Sequence, residues 1–333
     1  MKIGLFLSAQ AARDEPIGDR IATVVGHARL AEQLGFSSVF LGHHLLASSQ
    51  FLQPISMAGF LAAATERVKI GFGVLLSPLA HPLALAEELA TLDALSNGRL
   101  VVGVGAGYRN VEYDATGIPY ASRYRRLTDG VQIMRDLWAG KSVSYDGDFG
   151  AATNARLALR PIQPGGPPVW MGAFGPKAIA RAAAMGLPWL ASPEGTLETL
   201  AGRYADYRAG LTAAGHSLDL AYPLSREGAV AATREEAAAA VRPFLEGQYR
   251  GYKSWDQVRD LDIDDVIAEH ALVGTPDDML ARLTEYRDQL GVTEVIMRVD
   301  WLGMDPSVAE RTIRMIGEHV IPALAAAHPT SQP

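Results

Sequence analysis

Residues 68–117, VKIGFGVLLSPLAHPLALAEELATLDALSNGRLVVGVGAGYRNVEYDATG, decide the fold. Two apolar runs rich in β-branched residues, Val68–Leu76 and Leu100–Val104, lie on either side of a segment with helical periodicity, Pro82–Leu95. This order predicts a β-α-β unit with two parallel strands. Each run ends at glycine, proline or polar residues and not at a hairpin turn. A ligand site is therefore expected at the carboxyl ends of the strands.

The same alternation of strand and helix patterns continues along the whole chain. Parallel strands joined by helices form one sheet, and eight such units most naturally close into a barrel. The sequence therefore predicts an α/β fold, a (β/α)8 TIM barrel with insertions. The expected strands are Lys2–Ser8, Ser38–Leu41, Val68–Leu76, Leu100–Val104, Val169–Met171, Pro188–Leu190, Ala221–Val230 and Glu294–Val299.

The chain is expected to form a single domain over residues 1–327. Two segments do not fit the repeat: residues 145–168, which are rich in glycine and proline, and residues 251–272, which are acidic and partly helical. Long insertions in a barrel are usually functional, so the second is expected near the mouth of the site, where it is a candidate for a lid. Residues 328–333 read as a flexible polar tail.

Composition excludes several classes of function. The chain has 333 residues, no cysteine and a formal net charge of −7. Disulfides and thiolate metal sites are therefore excluded, and an acidic protein makes a poor nucleic-acid partner. No apolar run reaches the ~18 residues of a membrane helix, and the start has no signal-peptide pattern, so a cytoplasmic protein acting on a small molecule is expected. No motif for metal hydrolysis, serine acyl transfer or nucleotide hydrolysis occurs, and no metal ligand is assigned.

Several side chains fall where barrel strands open onto the site. His43 and His44 follow the second strand, and histidine is the side chain that exchanges protons near neutral pH. Such a pair either transfers protons or forms hydrogen bonds with the backbone of its own loop. Ser8 ends the first strand and Trp301 lies just beyond the last, so we assign Ser8, His43 and Trp301 to the lining of a substrate pocket. Trp301 is equally compatible with packing at the rim.

Three glycine-containing turns are candidates for binding a cofactor. The turn after the fourth strand has G-x-G-x-G spacing, which does not match the G-x-G-x-x-G of a Rossmann fold. Glycines at positions 71 and 73 interrupt a buried strand, which indicates close backbone approach. Residues 171–178, MGAFGPKA, join a strand to a helix start with a lysine nearby; this arrangement is either a phosphate site or a well-capped helix.

The segments at residues 73–99 and 102–117 closely resemble the luciferase-like flavin-dependent monooxygenase family. The resemblance extends over nearly the whole chain, and it implies the TIM barrel, a flavin cofactor and His44 as the catalytic residue. It also implies a homodimer packed through Pro54–Ala64 and Pro82–Leu95, and a non-prolyl cis peptide at Gly73–Val74. The cofactor-binding positions that it implies are Gly73, Val74, Gly105, Ala106, Gly107, Tyr108, Ala173, Phe174, Gly175, Pro176 and Lys177.

The resemblance leaves three functions open. The first is a monooxygenase that uses reduced FMN, delivered by a separate NAD(P)H flavin reductase, and O2 to form a C4a-hydroperoxide that oxygenates a small organic substrate. The second is a deazaflavin (factor 420) oxidoreductase that transfers hydride, and the third is a non-catalytic flavin-binding protein. Bacterial luciferase has an arginine where this chain has Ala106. Either Arg109 replaces its phosphate contact, or the flavin binds differently.

Overall fold

Eight parallel strands close into a barrel in the computed structural model, which describes residues 1–254 and 262–326. The sheet runs in chain order, β8 pairs with β1, and the pairing of β6 with β7 completes the ring. This confirms the predicted TIM barrel. The strands are β1 (Lys2–Leu7), β2 (Ser38–Leu41), β3 (Lys69–Phe72), β4 (Leu100–Val104), β5 (Val169–Ala173), β6 (Trp189–Ala191), β7 (Pro223–Val230) and β8 (Glu294–Arg298).

Helices surround the barrel, and local sequence explains where they begin. Thr275 forms a capping box with Asp278, and Asp305 caps the helix that follows it, as their sequence positions predict. The helices are α1 (Ile17–Gln33), α2 (Pro54–Ala64), α3 (Pro82–Leu95), α4 (Asn110–Thr116), α5 (Arg123–Trp138), α6 (Pro176–Ala184), α7 (Leu197–Ala213), α8 (Arg234–Ser254), α9 (Ile263–Asp265), α10 (Pro276–Glu285), α11 (Pro306–Met315) and α12 (Ile321–Ala326); π-helical stretches at Val266–His270, Tyr286–Leu290 and Ile316–Val320 extend α9, α10 and α11.

The third strand is shorter than predicted. The apolar run was expected to be one strand from Val68 to Leu76, but β3 ends at Phe72 and the Gly73–Val74 peptide is cis, as the resemblance implies. Leu75 then pairs again with Val104 as an isolated bridge. Apolar composition indicates that a segment is buried but not that it is paired in a sheet. The predicted strand therefore continued beyond Phe72, where the pairing stops. The consequence is a backbone bulge at the carboxyl end of the barrel.

Side chains fill the lower barrel and leave its carboxyl end open. Phe40 and Trp170 stack inside it with ring centroids 5.4 Å apart, and a Cβ on Gly71 would lie 2.3 Å from the Phe40 ring. Above them, the short strands Gln10–Ala11 and Gln50–Phe51 pair and join the loops that follow β1 and β2. The site is therefore framed by the loops at the carboxyl ends of the strands.

Outside the barrel, the first insertion contains an antiparallel hairpin, Val143–Gly147 with Gly150–Ala155. The second includes α9, and the strand Leu272–Gly274 at its end pairs with the last residues of β7, Gly228 to Val230. Residues 255–261 and the predicted tail at 328–333 lie outside the described residues. Within residues 1–254 and 262–326, no helix has the length and apolar character needed to span a membrane.

Candidate active site

A cavity of about 580 Å³ opens at the carboxyl end of the barrel, and residues at the ends of all eight strands line it. Its volume lies within the range of small-molecule and cofactor pockets. The structure brings most of the predicted site residues together here. The predicted residues on its wall are Ser8, His43, His44, Gly73, Val74, Gly105, Ala106, Gly107, Tyr108, Ala173, Phe174 and Gly175.

His44 is held by a carboxylate that the sequence analysis did not identify. Its Nδ1 lies 2.9 Å from Oε1 of Glu112, whose side chain is completely buried, while the imidazole is 26% exposed. On the other side of the ring, Nε2 is 3.5 Å from the Tyr108 hydroxyl. Burial raises the pKa of Tyr108 to about 12, so its phenol is neutral at pH 7. Glu112, His44 and Tyr108 thus form a hydrogen-bonded chain at the cavity wall, and Nε2 of His44 is its proton-exchanging atom.

Helix α4 explains why Glu112 was missed. The segment after the fourth strand was interpreted only as a glycine turn, but α4 begins at Asn110 and brings Glu112 back beneath the β2 loop. The same Oε1 atom accepts hydrogen bonds from the Leu45 N–H (3.1 Å) and from Nη1 of Arg109 (3.2 Å). The sequence signal was a carboxylate three residues after an arginine, in a segment with helical spacing.

His43 has a different role from His44. Its Nδ1 accepts a hydrogen bond from the Leu76 N–H at 3.1 Å, and burial lowers its pKa to about 4. The ring is therefore neutral at pH 7, with its proton on Nε2. His43 lines the cavity as a neutral imidazole, while His44 is the histidine with a carboxylate partner.

Glycines form one wall of the cavity, and side chains there have no room. A Cβ on Gly105 would lie 2.5 Å from Cγ2 of Val74, and one on Gly172 would lie 2.6 Å from Cγ1 of the same residue. Val74 therefore lies between the ends of β4 and β5. We call Gly73, Val74, Gly105 and Gly172 the glycine wall; it offers bare backbone and one valine to a flat ligand.

The loop after β4 is fixed by hydrogen bonds from tyrosine and arginine side chains. The Tyr113 hydroxyl donates to the Ala106 carbonyl, and the Tyr120 hydroxyl donates to the Tyr108 carbonyl at 3.2 Å. Arg109 donates to the Leu45 carbonyl at 3.0 Å as well as to Glu112. Its guanidinium therefore holds the β2 loop, and these contacts do not support the hypothesis that Arg109 replaces the phosphate contact of the luciferase arginine.

Of the remaining predicted residues, all on the turn after β5, two line the cavity and two do not. Phe174 and Gly175 line the cavity, whereas Pro176 and Lys177 begin α6 on the exposed side of the turn and do not line it. Two arginines approach the same edge. The Arg181 guanidinium lies 4.3 Å from the centre of the Tyr124 ring, and that of Arg203 lies 5.3 Å from the centre of the Phe174 ring. Both rings line the cavity, so this edge combines a helix start with cations.

Charged residues that the sequence analysis did not select line the opposite side. Glu194 follows β6, Glu227 lies in β7, and Arg298 ends β8. Burial raises the pKa of Glu227 to about 7 and also raises that of Glu194. The sequence signal was a charged residue near the carboxyl end of an otherwise apolar strand, since such residues are rarely buried without a reason.

Trp301 lies beside the main cavity and not on its wall. It lines a second cavity of about 440 Å³, which shares Gln10, His44, Tyr108 and Arg298 with the first. Trp301 is 3% exposed, and its Nε1 donates to Oε1 of Gln248 at 2.7 Å. The structure therefore places it next to the site, packed against α8.

The family model described as luciferase-like monooxygenase matches residues 1–294. The chain is 29% identical to 5,10-methylenetetrahydromethanopterin reductase of Archaeoglobus fulgidus, over 90% of this chain and 94% of that protein. It is 30% identical to F420-dependent glucose-6-phosphate dehydrogenase of Microbacterium testaceum, over 89% and 91%. The monooxygenase RslO1 from Streptomyces bottropensis superposes with a TM-score of 0.85 at 28% identity, over 98% of this chain and 100% of RslO1. The chain therefore belongs to the luciferase-like monooxygenase family and is an oxidoreductase.

Proposed function

We propose that the protein is a flavin-dependent monooxygenase that uses reduced FMN and O2 to oxygenate a small organic substrate. The observation that carries the proposal is the chain of Glu112, His44 and Tyr108 at the wall of a largely apolar cavity. The similarity to RslO1 over the whole chain supports the same class of chemistry. Oxygenation of this kind needs a recessed pocket that limits water, together with a group that manages protons.

The residues present fit a flavin. The glycine wall offers a surface where Cβ atoms would clash, and Phe6 and Leu190 supply apolar contacts elsewhere in the cavity. Among residues 1–254 and 262–326, the buried hydroxyl of Ser8 and Oε2 of Glu194 have no hydrogen-bond partner, although both residues line the cavity. Buried polar atoms without partners are uncommon, so these two positions, which are separate from the glycine wall, suit the polar groups of a substrate.

The residues that would hold the cofactor fall into two groups. The glycine wall, with Ala106, Gly107 and Tyr108, would contact the ring system. The turn that begins α6, with Lys177 at its exposed edge, would hold the phosphate through backbone N–H groups and positive charge. When bound, reduced FMN supplies the two electrons needed to activate O2.

His44 would handle the protons. Glu112 accepts a hydrogen bond from Nδ1–H, which fixes the ring orientation and leaves Nε2 to accept or donate a proton on the cavity side. The neutral Tyr108 hydroxyl lies next to that atom and can relay the proton. His43, which is neutral because of its low pKa, would line the pocket beside it.

Two partners complete the proposal. A separate NAD(P)H flavin reductase would supply the reduced FMN. A second copy of the chain would pack against α2 and α3, where Phe60 is 53% exposed and Leu95 is 65% exposed. Exposed large apolar side chains on neighbouring helices favour such an interface.

A deazaflavin (factor 420) oxidoreductase is the second candidate. The observation that favours it is the similarity to an F420-dependent dehydrogenase over about nine-tenths of both chains. In this case the same glycine wall would hold the ring, and His44 would exchange a proton with the substrate while hydride is transferred without O2.

Anaerobic titration separates these functions. The protein is titrated with reduced FMN and, separately, with reduced deazaflavin, and O2 is then admitted with a panel of substrates. Tighter binding of reduced FMN and O2 uptake coupled to product formation would support the monooxygenase. Tighter binding of deazaflavin with O2-independent turnover would refute it. Binding of either cofactor with no turnover of any substrate would indicate a non-catalytic flavin-binding protein.

A further inference from the structure

One side of the main cavity is not used by the proposed cofactor contacts. We call Ser8, Glu194, Glu227 and Arg298 the acidic wall; these residues come from β1, β6, β7 and β8 and the segments that follow them. Glu194 is only 7% exposed and Ser8 only 3%. Within the described part of the chain, Oε2 of Glu194 and Oγ of Ser8 have no hydrogen-bond partner. Both residues line the cavity from the segments that follow β1 and β6, and each brings a buried polar atom that suits a hydrogen bond from a ligand.

The loop that carries Glu194 is held rigidly without any ligand. The guanidinium of Arg226 donates to the Pro193 carbonyl at 2.6 Å and to the Gly195 carbonyl at 3.0 Å. The Gly195 N–H donates to Nδ1 of His270 at 2.9 Å, so the second insertion fastens the loop from outside the barrel. Glu194 is therefore positioned in advance, as a recognition site requires.

The charges of the acidic wall nearly balance. Glu227 and Arg298 are register partners on β7 and β8, so their opposite charges lie side by side, and Arg298 also lies over the Phe6 ring at 5.6 Å. An anionic ligand would meet two carboxyl groups here, and a cationic ligand would meet a guanidinium. A hydroxyl group suits both sets, because it donates to a carboxylate and accepts from Arg298 or Ser8.

We propose that the acidic wall is the substrate subsite and that it recognises the hydroxyl groups of a neutral substrate, with Glu194 and Ser8 as direct contacts. The inference rests on the proposed function in one respect: the glycine wall must take the cofactor and leave the acidic wall to the substrate. Apolar residues of the same cavity, Phe6 and Ile296, would contact the carbon skeleton. The substrate class is therefore a carbocyclic or aliphatic alcohol or diol, and not a charged acid or amine.

The test uses three probes with the same six-membered ring: trans-cyclohexane-1,2-diol, cyclohexylammonium and cyclohexanecarboxylate. Their dissociation constants are measured by ligand-observed NMR on the full-length protein, with and without saturating FMN. The diol should bind at least about tenfold more tightly than either charged probe, as expected for one hydrogen bond to a charged group. E194Q and S8A should each weaken diol binding about tenfold. E198Q is the matched control, because it removes an exposed carboxylate of the same segment, and it should leave binding unchanged.

Two further measurements make the result decisive. The affinity for FMN should stay within about twofold of wild type in E194Q and S8A, because a twofold change is well below the effect of one hydrogen bond. Tighter binding of a charged probe, diol binding that E194Q and S8A leave unchanged, or no diol binding up to its solubility limit would each overturn the proposal. A tenfold loss of FMN affinity in the variants would also overturn it by assigning the wall to the cofactor. Wild-type protein that does not bind FMN at all would instead refute the proposed function.

Discussion

Glu112→Gln tests the centre of the proposed site, because this buried carboxylate organises the β2 loop and His44 together. One oxygen, Oε1, accepts hydrogen bonds from His44 Nδ1 (2.9 Å), the Leu45 N–H (3.1 Å) and Arg109 Nη1 (3.2 Å). The amide keeps the size of the side chain and an oxygen acceptor, but it removes the charge. The variant therefore separates electrostatics from packing.

The magnitude follows from these contacts. A hydrogen bond to a charged group stabilises a protein by about 1.5–3 kcal/mol and a neutral one by about 0.5–1.5 kcal/mol, so each of the three bonds weakens by roughly 1 kcal/mol. The amide nitrogen would replace Oε2, which is buried and has no partner among the described residues. An unsatisfied buried donor costs about 1–3 kcal/mol more. After local relaxation, the free energy of unfolding should fall by about 2–4 kcal/mol.

Urea unfolding at pH 7 measures this change, with the free energy extrapolated linearly to zero denaturant. A double-mutant cycle with His44→Ala then isolates the interaction between the two side chains, which should be about 0.5–3 kcal/mol. Product yield should fall in Glu112→Gln while FMN affinity is retained. A free-energy change below about 0.5 kcal/mol, or strict additivity with His44→Ala, would refute the reasoning that Glu112 holds His44.

Four other predictions follow from the same structure. His44→Ala should lower turnover while leaving the fold intact, since a loop imidazole is not part of the core; unchanged product yield in stopped-flow reoxidation experiments would remove it from the mechanism. Lys177→Glu should weaken FMN binding much more than riboflavin binding, and equal losses would show that the α6 turn does not hold the phosphate. Light scattering at micromolar concentration should find a homodimer, and a monomer would contradict packing through α2 and α3. Burial raises the folded-state pKa of Glu227 from 4.5 to about 7. The folded protein therefore holds this proton to higher pH than the unfolded chain, and its stability falls as pH rises through that interval. Glu227→Gln should thus gain roughly 3 kcal/mol relative to wild type between pH 4.5 and pH 8, and a constant difference in unfolding free energy would contradict the shift.

Sequence patterns predicted the barrel because its strands are buried on both faces and read as separate apolar runs. Five of the eight predicted strands begin at the residue where the structure begins them: Lys2, Ser38, Leu100, Val169 and Glu294. The patterns failed where composition does not encode pairing. The run from Val68 to Leu76 contains a backbone break at Gly73–Val74, and hydrophobicity continues through it.

The site was predicted unevenly for a physical reason. Residues on a turn that directly follows a strand, such as His44 and Gly105, are placed by local topology, and the structure puts them in the cavity. Glu112 reaches the site through its contact with His44, 68 positions away, and the loop of Glu194 is held by the hydrogen bond between Gly195 and His270, 75 positions apart. Such contacts have no short-range signature. Lys177 lies outside the cavity lining, because a motif at a helix start does not decide on which side of the turn its side chain lies; its contact with the phosphate stays a prediction.

The contacts of the arginines indicate which part of the site would distinguish FMN from the deazaflavin coenzyme. Arg109 is committed to the β2 loop and Arg226 to the β6 loop, so neither is available to a phosphate. The phosphate would then depend on the α6 turn and on the cations near it, Lys177, Arg181 and Arg203. Both FMN and the deazaflavin coenzyme carry a phosphate next to the ribityl chain, so this edge would bind either without distinguishing them. Discrimination must therefore come from the groups around the ring. The difference between oxygen activation and hydride transfer would then be set by which ring is bound, while His44 and the acidic wall would place the proton and the substrate around that ring.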